Sequence, residues 1–211
     1  RLEIPLVSES ENIRTYAKTA GLSLEKAARE RRYRFLARTM YERKAAAIVL
    51  AHTADDQAET LLLHLLRGSG LTGLNGMREI TDLPAIGDRP SSTLLRPLLD
   101  RKRQETKAYC ARMHMRPRKD PTNNSPIQTR NRIRHKILPI LRKENPRIVE
   151  VLSRLSQSTQ PDEDYLRAQS SELWESVAQE SPSGIVEMRL DALLALPQAL
   201  QARLLRKALS I

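Results

Sequence analysis

The chain has 211 residues, a formal net charge of +11 and a single cysteine, Cys110. One cysteine excludes an intrachain disulfide and favours a reducing compartment, which predicts a cytoplasmic protein. We find no apolar run of the length that a membrane helix needs, so no membrane association is expected.

The positive charge is concentrated in the middle third of the sequence. Residues 81–145 carry 16 basic and 6 acidic side chains, whereas residues 1–80 carry 13 and 10, and residues 146–211 carry 7 and 9. A basic patch of this kind favours nucleic acid as the partner, with a solubilising surface as the alternative. Because only 3% of the residues are aromatic, we expect recognition of phosphate and shape more than base stacking.

The first part of the chain predicts alternating strands and helices. Ile4–Ser10 is a short apolar run that predicts a buried strand. A helix capped by Ser23 is expected next, from the apolar stripe between Leu24 and Met40. The continuous apolar run Ala45–His52 is typical of a parallel strand covered on both faces. A helix over Asp55–Arg67 follows, and this alternation predicts an α/β fold with a parallel sheet.

The middle of the chain predicts less regular structure. Glu79–Ser92 is rich in turn formers and reads as a loop. The short strand expected at Thr93–Leu99 is confined to an edge or an end by Pro97. A helix capped by Asp100 comes next, then the extended segment RPRKDPTNNSPIQT, and then a basic helix that is kinked at Pro139.

The composition changes after about residue 145 and becomes slightly acidic. Two amphipathic helices are expected from RIVEVLSRLSQ and DEDYLRAQSSELWESVAQ, followed by a short extended piece at SGIVEMRL. A final helical segment follows, with Pro197 tolerated in a first turn. The sequence therefore predicts an α/β domain over residues 1–145 and a small helical domain over residues 146–211.

One polar constellation stands at the predicted strand end. His52, Asp56 and Glu59 are spaced i, i+4 and i+7, which predicts one helical face at the edge where open α/β sheets bind ligands. Asp56 and Glu59 are candidate Mg²⁺ ligands. Singly, the carboxylates are equally explained by the helix dipole. A zinc site is disfavoured because no histidine or cysteine cluster accompanies them.

The stretch RGSGLTGLNG follows this helix directly. Its glycines permit tight turns and close approach to a ligand. It is neither a Walker loop nor a dinucleotide fingerprint, because no Gly-Lys-Ser/Thr follows and it ends a helix instead of opening one. Taken alone, the stretch is also explained as a helix C-cap with a flexible loop.

Several sequence blocks together resemble the tRNA(Ile)-lysidine synthetase family of PP-loop ATP pyrophosphatases. The most specific are HTADDQAET (His52–Thr60) with RGSG (Arg67–Gly70), and DPTNNSPIQTRNRIRHKILP (Asp120–Pro139). The supporting blocks are AARERRYRFL (Ala27–Leu36) and LLRPLL (Leu94–Leu99), and the C-terminal LDALLALPQALQARLLRKAL is similar to the family's helical domain. All of these blocks stand in the family's order.

The resemblance implies a partial parallel-sheet PP-loop domain, of the adenine nucleotide alpha hydrolase-like fold, followed by a small helical domain that contacts tRNA. It implies ligation of free L-lysine to C2 of the wobble cytidine of tRNA(Ile) with a CAU anticodon, through an adenylated intermediate, with ATP and Mg²⁺ as cofactors. A homodimer is left open. The residues implied are His52, Asp56 and Glu59 for catalysis, Arg32, Arg67, Gly68, Ser69 and Gly70 for ATP and lysine, and Arg29, Arg130, Asn131, Arg132 and Arg134 for tRNA.

The sequence departs from the family pattern in two places. Ala51 and Thr53 flank the histidine where the family usually has glycine and often a second histidine. The Ser-Gly-Gly-x-Asp-Ser loop that grips pyrophosphate does not occur in this sequence, and we expect it to precede Arg1. Without that loop, the chain by itself is expected to be inactive in adenylation.

Three other functions stay open on the residues alone. A PP-loop tRNA thiolase normally uses paired cysteines or a cluster to carry sulfur, and Cys110 stands alone. A non-catalytic, basic RNA-binding module is suggested by the charge of the middle third. A metal-dependent hydrolase built on His52, Asp56 and Glu59 would turn over without ATP.

Overall fold

The computed structural model describes residues 4–83, 91–118, 129–181 and 185–209. Two compact units divide the chain, one formed by Arg1–Ala54 and Arg78–Met115, the other by Asp55–Met77 and Arg116–Ile211. The division into residues 1–145 and 146–211 follows different boundaries and stays a prediction about domains. Within the described ranges, no helix has the length and apolar character needed to cross a membrane.

The first unit combines helices with a small sheet. In its described residues, the elements are α1 (Ile13–Thr19), α2 (Leu24–Glu42), β1 (Ile48–Val49), β2 (Ile80–Leu83), β3 (Ser92–Leu95) and α5 (Arg103–Arg112). Helix α1 packs on α2, and α2 contacts β1. The sequence predicted α2 and β1 but gave no sign of α1.

The predicted cap and helix of α2 are confirmed. The Ser23 side chain accepts a hydrogen bond of 3.2 Å from the Lys26 amide, which satisfies one of the free amides of the first turn. The buried face is formed by Ala27, Tyr33 and Ala37. Small alanines on either side of one tyrosine leave room for the Tyr33 ring against the body of this unit.

The sheet has the strand order β1-β3-β2, with β1 parallel to β3 and β2 antiparallel to β3. The parallel pairing agrees with the predicted fold class, whereas β2 lies inside the stretch Glu79–Ser92 that was wrongly predicted to be a loop (residues 84–90 lie outside the described residues). Of the two positions predicted from Pro97, an edge or an end, the edge is wrong because β3 is central in the sheet. Pro97 lies beyond its last paired residue, so its missing amide costs no ladder bond.

The predicted strand Ile4–Ser10 is wrong. This segment has no regular structure, and Ile4 and Leu6 are 72% and 88% exposed. Ion pairs hold the segment and its continuation along α2 instead, Glu9 with Arg38 and Glu11 with Arg31. An apolar run predicts a strand only where a neighbouring strand supplies hydrogen-bond partners.

The predicted Asp100 cap of α5 is wrong as well. The helix begins two residues later, with Lys102 as its N-cap residue. The Glu105 carboxylate reaches back and accepts a 2.6 Å hydrogen bond from the Lys102 amide. The third helical residue therefore supplies the cap that the sequence pattern assigned to Asp100.

The second unit is mainly helical. Its described elements are α3 (Ala54–Leu66, whose first residue belongs to the first unit), α4 (Leu71–Leu74), α6 (Thr129–Arg132), a π-helical turn (Ile133–Ile137), α7 (Leu138–Glu144), α8 (Ile148–Val177), β4 (Ala178–Glu180), β5 (Val186–Met188), α9 (Leu190–Leu194) and α10 (Gln198–Ala208). Strands β4 and β5 pair antiparallel. The short extended piece expected at SGIVEMRL is confirmed in β5, whereas β4 and its pairing were not predicted.

The irregularity predicted at Pro139 takes the form of the π-helical turn. The Leu138 amide donates to the Ile133 carbonyl, one residue further back than in an α-helix. Proline cannot donate and its ring crowds the preceding turn, and a wider turn relieves both constraints. The π-helical turn is therefore part of the helical segment that carries Arg130 and Arg134.

The prediction of two separate helices after residue 145 is wrong, because α8 is continuous through Pro161. Its buried positions include Val149 and then every seventh residue, Ser156, Glu163, Ser170 and Val177. This stripe runs on both sides of the exposed proline. Packing of one face along the whole length therefore keeps the two halves in one helix.

The far end of α8 closes a small core with α9 and α10. Val177, Leu193 and Leu204 are buried together there. Helices α8 and α10 are also joined by an ion pair. The Arg203 guanidinium donates to both oxygens of buried Glu163, at 2.8 and 2.5 Å. These hydrogen bonds lower the pKa of Glu163, so its charge is retained although the side chain is buried.

Candidate functional site

The polar start of α3 is the centre of the candidate site in the second unit. The helix begins at Ala54, so His52 precedes it and the helical spacing argument for His52 fails. Asp56 and Glu59 do lie within one turn of each other on α3. Glu59 is fully buried, and the Asp56 side chain is 16% exposed.

Two arginines from the distant segment 129–137 bind these carboxylates. The Arg134 Nε donates to Glu59 Oε1 at 2.7 Å, and its Nη2 donates to Oε2 at 2.8 Å. The Arg130 Nε donates to Glu59 Oε2 at 3.0 Å. We call Asp56, Glu59, Arg130 and Arg134 the carboxylate–arginine cluster.

Asp56 contributes more weakly to the same cluster. Its Oδ1 accepts a 3.4 Å hydrogen bond from Arg134 and lies 3.7 Å from Arg130. Arg130 also donates to the Asp56 carbonyl at 3.2 Å. Hydrogen bonding to Glu59 raises the pKa of Arg134 above its already high ordinary value, so the guanidinium is charged and its hydrogen bonds are charge-assisted.

A second ion pair ties the same end of α3 to α7. Arg142 donates to Asp55 Oδ1 at 2.6 Å, and the Asp55 side chain is only 10% exposed. Consecutive carboxylates on α3 therefore bind different arginines. The polar start of the helix is explained by these contacts, beyond the general preference of acidic groups for a helix N-terminus.

The metal assignment of Asp56 and Glu59 stays a prediction, and the cluster is a poor fit for it. Both carboxylates accept hydrogen bonds from guanidinium groups. In the described ranges, no group of three or more His, Cys, Asp or Glu side chains converges as a metal site would require. We therefore derive no step of the chemistry through a metal ion at this position.

The candidate tRNA-binding residues of segment 129–134 differ in whether they face the protein interior or the solvent. Arg130 and Arg134 turn inward to the carboxylates, and Asn131 is buried. Arg132 is exposed and donates to Thr129 at 3.0 Å. The earlier part of this family block, residues 120–128, lies outside the described residues.

The glycine stretch after α3 is held against that helix. Gly68 has a φ of +71°, and the Ser69 amide donates to the His64 carbonyl at 3.0 Å, which ends the helix. Gly76 has a φ of +57°, and a Cβ there would lie 2.5 Å from Leu61 Cδ1. The positive φ and the close packing therefore both favour glycine at position 76. At the turn around Gly68, the flanking residues Arg67 and Gly70 are exposed.

The arginines proposed on α2 are exposed. The Arg29 and Arg32 guanidinium carbons lie 5.0 and 5.8 Å from the centroid of the Tyr33 ring. Cation–π contacts of this kind hold a guanidinium over an aromatic face without neutralising it. Both residues belong to the first unit, together with His52.

Sequence reasoning missed Arg96, which directly follows β3. It is 7% exposed, and its Nε donates to His52 Nδ1 at 3.2 Å. Its Nη1 donates to the Arg78 carbonyl at 2.6 Å and to Thr81 Oγ1 at 3.1 Å. The available signal was a single cation inside the apolar run LLRPLL, since a charge at a buried strand end requires a reason.

Comparison with known proteins places these residues in a family context. Residues 1–141 match the PP-loop domain family. A tRNA(Ile)-lysidine synthase of Clostridioides difficile is 35% identical over 95% of this chain and 42% of its own length. Enzymes of the same name from Dehalococcoides mccartyi and Geobacillus kaustophilus are 43% and 35% identical, over 72% and 92% of this chain and 32% and 40% of theirs. The chain thus spans less than half the length of these relatives.

Replacing the buried carboxylate of the cluster tests how much it contributes to the free energy of unfolding. Glu59→Gln keeps the shape but leaves two inward-facing guanidinium groups without their charged partner, so we expect a loss of about 3 kcal/mol of unfolding free energy. Asp56→Asn is the matched control, because the Asp56 contacts with Arg130 and Arg134 are longer and more exposed than those of Glu59, and it is expected to cost less than about 1 kcal/mol. Urea unfolding measures both, and equal losses would contradict the central place of Glu59.

Proposed function

The chain belongs to the PP-loop domain family, and we propose that it serves the ATP-dependent attachment of lysine to the wobble cytidine of tRNA(Ile) with a CAU anticodon. In this reaction the C2 oxygen of the base attacks ATP and pyrophosphate leaves. The neutral lysine amine then forms a bond to C2 and loses a proton to solvent water, and AMP departs with the oxygen as the C2–O bond breaks. In this proposal the protein is a ligase that forms a carbon–nitrogen bond. The resemblance seen in the motif blocks is confirmed at the level of the family.

One observation carries the proposal. The two most specific blocks of the family resemblance lie far apart in sequence, and their charged side chains meet in the carboxylate–arginine cluster, with Arg134 2.7 Å from Glu59. A surface role for either block would leave these groups in water. Convergence of buried charges is costly, so it is typical of sites that use them.

Within the cluster, we assign different tasks to the two acidic residues. Glu59 is fully buried and holds Arg130 and Arg134. Asp56 keeps part of its side chain exposed and makes longer contacts. It is therefore the carboxylate that we assign to the ammonium group of the incoming lysine.

The residues that bind ATP and lysine in this proposal include Arg32, Arg67, Gly68, Ser69 and Gly70. The amides of residues 67, 68 and 69 already donate to carbonyls at the end of α3. The contribution that we propose for this turn therefore comes from the exposed Arg67 side chain, the Ser69 hydroxyl and Gly70. Mg²⁺ accompanies the phosphates of ATP in the proposal, and a cytoplasmic location and a homodimer stay predictions.

Helix α5 supports a contact with RNA. None of its residues is buried, and Tyr109 is 50% exposed. The segment 100–118 carries seven basic and two acidic side chains, the basic ones being Arg101, Lys102, Arg103, Lys107, Arg112, Arg116 and Arg118. An exposed basic helix beside an exposed aromatic ring has the chemistry of a phosphate-binding surface.

Incorporation of lysine into RNA tests the function directly. The intact gene product is incubated with ATP, radiolabelled lysine and the CAU-anticodon tRNA(Ile), and radioactivity is expected in the RNA. Asp56→Ala should abolish it, because the lysine ammonium group loses its carboxylate, whereas Glu187→Ala, at the exposed position of β5, is the control that keeps activity. RNA binding without lysine incorporation by the wild type would instead favour a non-catalytic RNA-binding module.

Charge reversal on α5 tests the RNA surface. Lys107→Glu with Arg112→Glu should weaken tRNA binding and reduce the slope of log K against log salt by about 2, one for each lost phosphate contact. Arg14→Glu with Lys18→Glu on α1 is the matched control, since both residues are exposed and the charge change is the same. Equal losses from the two double variants would mean that only net charge matters, and the assignment of α5 would fail.

A further inference from the structure

Arg96 is a buried cation, and its acceptors among the described residues are neutral groups. They are the His52 ring nitrogen, the Arg78 carbonyl, the Thr81 hydroxyl and the Tyr33 hydroxyl. Burial lowers the pKa of Arg96, and arginine nevertheless stays protonated in proteins. A charge kept in such surroundings is costly, and structural packing alone does not require it, because an apolar side chain could fill the same space.

The contact with His52 determines where the imidazole carries its proton. The Arg96 Nε can only donate, so His52 Nδ1 must accept at 3.2 Å with a free electron pair. The proton of the neutral ring is then on Nε2. Protonation of Nδ1 would remove the acceptor and set a second cation against the guanidinium.

We propose that Arg96 is a positioning residue that keeps His52 neutral, with Nε2–H as a hydrogen-bond donor. In the ligase reaction, on which this inference rests, His52 then donates to the phosphate oxygen that gains negative charge as AMP leaves. His52 does not take the proton from the lysine amine. A donor held in advance at a developing negative charge contributes more than one that must reorient.

The surroundings of Arg96 favour an anion over a cation as the ligand of His52. Arg29 adds a second positive charge near Arg96 and opposes its protonation. The Arg29 guanidinium also lies 5.0 Å from the Tyr33 ring, beside the Arg96 side chain. The two cations on the Arg96 side therefore favour a phosphate oxygen over an ammonium group as the partner of the His52 donor.

The protonation form of His52 is measurable without any substrate. Histidine labelled with ¹⁵N in the intact gene product distinguishes the two ring nitrogens by NMR, and loss of one signal in His52→Gln assigns the residue. We expect the Nε2–H form in the wild type and a mixture of forms in Arg96→Met. Thr81→Val removes a different acceptor of Arg96 and should leave the His52 signal unchanged. A wild-type His52 that carries its proton on Nδ1, or is charged at neutral pH, overturns the proposal without recourse to any variant.

Steady-state kinetics test the role in the reaction. Arg96→Met should lower kcat for lysine incorporation roughly 10²-fold, the usual cost of losing a donor to developing charge. The KM for lysine should change less than about twofold, because His52 is not assigned to lysine binding. If Arg96→Met shows a mixture of His52 forms by NMR but an unchanged kcat, the proposed role of His52 in the reaction is overturned. A wild type that shows the Nε2–H form but ligates no lysine would instead refute the proposed function and leave the Arg96–His52 pairing in place.

Discussion

The buried carboxylate of Glu59 is the constraint on which the second unit depends. It accepts hydrogen bonds from Arg130 and Arg134, which come from a segment some 70 residues further along the chain. A carboxylate without exposure needs such partners, since an unpaired buried charge would drive unfolding or protonation. The Glu59 carboxylate thereby connects the start of α3 to the segment that contains the π-helical turn. It also accounts for the inward direction of both arginines.

The chain uses its arginines in two physically different ways. Arg130 and Arg134 bind carboxylates inside the second unit, and Arg96 in the first unit binds the imidazole ring of His52. The basic side chains of α5, by contrast, lie on a helix with no buried residue. The number of basic residues in the sequence therefore overestimates the positive charge that is exposed at the surface.

Sequence patterns predicted α2 with its Ser23 cap and helix α3, because local periodicity and capping decide these features. They also predicted a parallel sheet, but not that β1 pairs with β3, because the partner of a strand lies far along the chain. They failed for Ile4–Ser10 and for the continuity of α8 through Pro161, since both depend on tertiary partners. In the candidate site, spacing identified Asp56 and Glu59. It did not reveal that Arg130 and Arg134 face inward or that Arg96 binds His52, because charge alone does not say which side of an element is buried.

A double-mutant cycle between Glu59 and Arg134 tests the central constraint most directly. The unfolding free energies of Glu59→Gln, Arg134→Met and the double variant are compared with that of the wild type. If the buried pair organises the second unit, the double variant is more stable than the sum of the single losses predicts, by about 2 kcal/mol or more. Losses that add within about 0.5 kcal/mol would contradict the account, because the two side chains would then stabilise the protein independently.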